Sequence, residues 1–114
     1  IARAMIEGML AGLADAVQSL IDLGVDVKRI LIIGGAAKNP AVGHIASALF
    51  GRPVLIPPAG EYVADGTARQ AAWALLATPS APLWNLGKAT LIHAEPTPHV
   101  LEQYRILRDA TLHW

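Results

Sequence analysis

At 114 residues the chain is the size of one domain, long enough to bury roughly two thirds of its unfolded surface in a core. Apolar residues make up 54% and charged residues 16%, against about 45–50% and about 25% in an ordinary soluble domain, so part of its surface is expected to be covered by something else. Nine basic and nine acidic side chains cancel without a Lys/Arg cluster, which speaks against nucleic acid or an anionic membrane as partner, and the absence of cysteine excludes disulfides and thiolate metal sites and fits a cytoplasmic setting.

Ile1 opens directly inside a helical pattern, so the chain is expected to be a piece of a longer one. The stretch ARAMIEGMLAGLADAVQSLIDLG sets Ile6, Met9, Leu10, Leu13, Val17, Leu20 and Ile21 at helical spacing and predicts a long amphipathic helix stopped by Gly24. No apolar run approaches the roughly 18–20 residues that cross a bilayer, and no secretory signal pattern is present. Ile30 to Ile33 show no alternation and predict a strand buried on both faces. After Gly34 and Gly35, Asn39 and Pro40 read as N-cap and first residue of a second helix. Val42, Ile45, Ala46 and Leu49 form its buried face, and Gly51 ends it.

RPVLIP then reads as a short strand, and EYVADGTARQAAWALLA as a third helix ended by Thr78 and Pro79, its Ala64, Ala68, Ala71 and Ala72 allowing close approach of a neighbour. Residues 1–77 thus predict an α-β-α-β-α core. Residues 78–97 predict a turn-rich linker with a short extended piece at Thr90 to His93, and 98–114 a terminal helix started by Thr97 and Pro98, with Leu101, Tyr104, Leu107 and Leu112 facing the body. There is no internal repeat.

The strand, double glycine and capped helix combine unobstructed backbone, turn amides and the positive end of a helix dipole, which suits a phosphate or the ribose end of a nucleotide. The same turn also suits a strand-to-helix connection that merely needs small residues. GGAAKN matches neither the phosphate loop G-x-x-x-x-G-K-[ST] nor G-x-G-x-x-G.

The residues ILIIGGAAKNPAVGHIASALFGRPVLIPPAGEYVADGTARQAAWALL resemble the C-terminal portion of the FGGY carbohydrate kinases, and within them bacterial xylulokinases. The shared pattern is a strand ending in glycines, Ala-Lys-Asn before a helix, Gly-Arg-Pro-Val before a short strand, then Glu-Tyr and an alanine-rich helix. The leading EGMLAGLADAV and the tail PTPHVLEQYRILRDATLHW extend it over nearly the whole chain. The resemblance implies an α/β fold, a fragment of the actin-like, ribonuclease-H-like second domain of a sugar kinase, with ATP and its Mg²⁺ held between this domain and a missing N-terminal one. It implies that Gly34, Gly35 and Ala36 lie along the α-phosphate and adenosine and Asn39 beside the adenine. Ala36 stands where many xylulokinases carry a third glycine. The catalytic base and sugar pocket are implied to lie upstream, so no catalytic residue is assigned and the segment alone is expected to be inactive.

Other side chains have plainer readings. Lys38 reads as solvated, and Asp65 and Glu61 as complements to the dipole of the third helix, with Glu61 also placed to line the cleft. His44, His93, His99 and His113 lack metal-ligand spacing, and His44 with Ser47 lacks a third partner for hydrolysis. Trp73, Trp84 and Trp114 read as packing residues. The rival reading is a non-catalytic α/β interaction or oligomerisation module. A related alternative is a kinase of the same family acting on gluconate or glycerol. Cutting across a sheet also exposes strand edges and helix faces, so self-association is expected in either case.

Overall fold

A computed structural model of the chain describes residues 1–85 and 87–112. In chain order it has α1 (Ala2–Asp22), a 3-10 turn (Gly35–Lys38), α2 (Pro40–Phe50), β1 (Val54–Ile56), α3 (Tyr62–Leu76), β2 (Thr90–Ile92) and α4 (Pro98–Thr111). The predicted helix signals are realised: Asn39 Oδ1 accepts from the Ala41 amide at 3.0 Å, Pro40 opens α2, and Gly51 closes it at φ 62°. At the end of α1, Gly24 at φ 90° lets its own amide and that of Val25 reach the carbonyls of Ile21 and Leu20.

The core forms around α2, which buries every residue from Val42 to Leu49 except His44. A helix apolar on nearly all sides must be enclosed. Leu10 and Ala14 of α1 and Val54 of β1 close on Val42, Ile45, Ala46 and Leu49, while Ile92, Val100 and Leu101 add the sheet side and α4. β1 pairs antiparallel with β2, Val54 opposite Ile92 and Ile56 opposite Thr90. On its other edge Leu55 bridges to Leu31 in parallel: Ile32 N donates to Leu55 O and Leu55 N donates to Ile30 O, both at 2.9 Å.

The buried strand expected at Ile30 to Ile33 is corrected by this arrangement. Ile30 and Ile32 pack against the core, but Leu31 and Ile33 stay 46% and 49% exposed, because among the described residues nothing covers the second face of the sheet. The apolar arc of α1 is likewise wider than its covered part: Leu10, Ala11 and Ala14 are buried, whereas Met9, Leu13 and Leu20 are exposed. By length and composition α1 is also apolar enough to cross a bilayer, with a mean hydropathy of 1.3. In this fold Leu10 and Ala14 pack against α2, while most of the rest of the helix is not buried. The third helix, read as part of a 1–77 core, buries none of its residues. Local bonds organise it, from Trp73 Nε1 to Thr78 O and from Arg69 Nε to Pro82 O, each 2.7 Å. The radius of gyration is accordingly 17.0 Å, against about 13 Å for a compact domain of this length.

Two polar anchors fasten the periphery. Ser47, fully buried, donates to Arg52 O at 3.1 Å and accepts from the Ala94 amide at 3.0 Å, tying α2 to the chain just before β1 and just after β2. Asp15 of α1 receives Arg105 Nε at 2.7 Å on one oxygen and Arg108 Nη1 on the other, which docks α4. Tyr104 lies over Gly12, its hydroxyl 3.4 Å from where a Cβ would stand. Leu101 and Tyr104 are half-buried as expected, but Leu107 and Leu112 are exposed; His113 and Trp114 lie outside the described residues.

Ser47→Ala leaves the Ala94 amide and the Arg52 carbonyl without their partner and should cost about 1–3 kcal/mol, seen as a lower urea midpoint at unchanged slope. The Arg105 hydrogen bond, joined by the charges of Arg108 and Arg105, outweighs burial and holds the Asp15 carboxyl below its ordinary value of 3.8. Its stabilising contribution is complete above that value and is lost as pH falls from there through the lower folded value. Thermal midpoints measured from pH 6 into acid should therefore decline less in Asp15→Asn than in the parent sequence.

Candidate functional site

Because Leu31 and Leu55 pair in parallel, the segments carrying them run in one direction and leave the sheet at the same end. In open α/β sheets, ligands collect in the crevice outside the carboxyl ends of the strands. A cleft of about 280 Å³ lies there. Ile32 to Gly35 with Ala37 and Lys38 form one wall, and the run from Ile56 to Tyr62 forms the other.

The two glycines occupy this wall for different reasons. Gly34 sits at φ 97°, ψ −179°, a region essentially closed to side-chain-bearing residues, and this bend turns the chain from the strand into the 3-10 turn. Gly35 has no such conformation: its φ lies outside the left-handed range and a Cβ built on it meets no atom within 4 Å. The space it leaves is open. Among the described residues nothing in the packing demands a glycine at this position.

Of the four residues singled out in the sequence, Gly34 and Gly35 meet in the cleft, while Ala36 and Asn39 are exposed and do not line it. Asn39 spends one lone pair of Oδ1 on the α2 cap, and its Nδ2 donates to no acceptor among the described residues. The helix expected directly after the glycines begins beyond the four-residue 3-10 turn, so Pro40 also stands off the wall.

Lys38 and Glu61 supply the charge of the cleft, and neither enters an ion pair among the described residues. The second wall was missed as a unit in the sequence. Its signal was the pair of prolines after β1 followed by Glu61-Tyr62: Tyr62 donates its hydroxyl to the Pro58 carbonyl and closes the loop into a fixed rim. Ser47 is fully engaged in structural hydrogen bonds and His44 is exposed, so the two form no reactive pair. Among the described residues no three His, Asp or Glu side chains gather where they could hold a metal ion.

Residues 1–75 match the FGGY family of carbohydrate kinases, C-terminal domain. The chain is similar to a xylulose kinase of Streptomyces coelicolor, with 34% identity over 96 residues that cover 81% of this chain and 20% of that protein. It is also similar to the crystal structure of xylulose kinase from Bifidobacterium adolescentis, with a TM-score of 0.75 and 40% identity over 90% of this chain and 20% of that one. The chain spans about a fifth of the length of these relatives.

The different roles of the glycines predict opposite stability effects. Gly34→Ala should lose about 1–3 kcal/mol, since alanine cannot adopt the bend without strain. Gly35→Ala should be neutral or stabilising by up to about 1 kcal/mol. Chemical denaturation of the two variants side by side tests this; equal losses at both positions would remove the distinction.

Proposed function

Since the chain belongs to the FGGY family of carbohydrate kinases and has the fold of their C-terminal, actin-like domain, we propose that it forms the ATP-side portion of a kinase that moves the γ-phosphoryl group of ATP to a hydroxyl of D-xylulose or a similar sugar. The observation that carries this reading is Gly35: an unstrained glycine in a cleft wall, with open space where its side chain would be. In the wall of a cleft, such a position leaves room for a ligand to approach the backbone closely.

The residues present fit that ligand. Gly34 bends the backbone so that the following turn borders the cleft, Gly35 and its neighbours offer a surface without side chains, and Lys38 places a cation at the edge. ATP, when bound, supplies the transferable phosphoryl group. Mg²⁺ would come with the triphosphate, whose oxygens suit a hard cation. On the resemblance to the family, the sugar, its activating base and the opposing domain are assigned to the part of the kinase beyond this segment.

The test uses the complete kinase that carries this segment, with ADP release measured on D-xylulose, gluconate and glycerol. ATP-dependent turnover is expected, highest with D-xylulose, and its absence on all three would refute the reading. Gly35→Val should raise the KM for ATP about tenfold or more, the loss of one well-placed contact, while leaving the KM for sugar within about twofold. An equal rise in both constants would point to a folding defect instead.

A further inference from the structure

The cleft carries one carboxylate and one ammonium among its lining side chains, Glu61 and Lys38. Glu61 closes the loop that leaves β1, a loop pinned by the bond from the Tyr62 hydroxyl to the Pro58 carbonyl. Although it stands at the head of α3, its side chain makes no capping bond, and it enters no ion pair among the described residues. Its carboxylate is thus uncommitted, exposed and held on a fixed rim of the cleft.

An ionised carboxylate only accepts hydrogen bonds, and it repels phosphate oxygens. Of the parts of a nucleotide, the ribose offers two adjacent hydroxyl donors, and the phosphates offer none. The two charged side chains therefore orient the ligand. We infer that Glu61 accepts hydrogen bonds from the ribose hydroxyls, placing the sugar against the Pro57–Tyr62 rim and the phosphates toward Lys38 and the glycine turn. The assignment rests on the nucleotide reading of the cleft. It makes Glu61 a specificity residue, one that distinguishes ribonucleotides from their deoxy analogues.

The experiment measures kcat/KM in the complete kinase for ATP, 2′-deoxy-ATP and 3′-deoxy-ATP, each with Mg²⁺ and saturating sugar. The parent enzyme should favour ATP over at least one deoxy analogue by about tenfold or more, the range of a hydrogen bond to a charged group. Glu61→Ala should bring that ratio to within about twofold of unity, chiefly through a higher KM for ATP. Glu61→Gln, which keeps an acceptor oxygen without the charge, should retain part of the preference.

A purely structural role at the head of α3 would weaken all three nucleotides alike and leave the ratio unchanged, which overturns the assignment. A parent enzyme that does not discriminate overturns it as well. Gly35→Val, assayed alongside, separates the two levels of inference. An unchanged KM for ATP in that variant removes the nucleotide reading itself, whereas a raised KM with a ratio insensitive to Glu61 removes only the ribose contact.

Discussion

Two hydrogen bonds of 2.9 Å, between Ile32 and Leu55 and between Leu55 and Ile30, determine where everything else must go. They make the Ile30–Ile32 segment parallel to β1, and parallel neighbours need a crossover of a dozen or more residues. α2 is that crossover, which is why it lies on the sheet and why its side chains from Val42 to Leu49 are enclosed. The same direction of travel delivers Gly34 and Pro57 to one end of the sheet. Antiparallel pairing would have sent them to opposite ends, and the cleft would not exist.

The coverage around this centre is uneven, and the apolar excess in the composition becomes intelligible as particular surfaces. Ile30 and Ile32 face α2 while Leu31 and Ile33 face outward; α1 buries its Leu10–Ala14 stripe and exposes Met9 and Leu13; α3 exposes Val63 and Leu75 almost completely. By contrast α4, whose sequence is the most polar of the helices, is held by its arginines on Asp15 and by Tyr104 on Gly12. Docking by ion pairs tolerates a helix with little apolar surface to offer. α3, held by local hydrogen bonds to the segment that follows it, buries none of its residues in a chain that spans a fifth of its relatives' length.

Much of this was legible in the residues, for identifiable reasons. Asn39-Pro40, Gly51 and Gly24 mark helix ends because capping chemistry is local, and Pro98 opens α4 although Thr97 makes no side-chain capping bond; each stands at the end of the element it was read to bound. Burial was less legible, because periodicity reports what a face could pack against and not whether a partner is there: Leu13, Leu20 and Leu31 have the pattern of covered residues and, among the described residues, lack the cover. The candidate site was read from one wall. A sequence presents Gly34 and Gly35 as neighbours, but the second wall lies more than twenty positions away at Pro57–Tyr62, and only the parallel register joins them. The offset of Ala36 and Asn39 from the cleft was equally invisible, since it depends on a 3-10 turn intervening before α2.

The composition of the cleft bears on how such a segment contributes to phosphoryl transfer. At about 280 Å³ it lies just below the roughly 300–1,000 Å³ typical of pockets that enclose a small ligand, and its walls are mostly backbone and apolar carbon. On the proposed reading its contacts reach the nucleoside and the near phosphates, groups whose charge changes little as the γ-phosphoryl moves. Interactions of that kind bind ground state and transition state alike, so they set the affinity for ATP and leave the chemical step to groups placed elsewhere. The glycine turn and Glu61 then act by fixing where the phosphate chain points. A catalytic centre built across two domains needs such a fixed end on one side, because the groups on the other can stabilise a moving phosphoryl group only if its starting position is already determined.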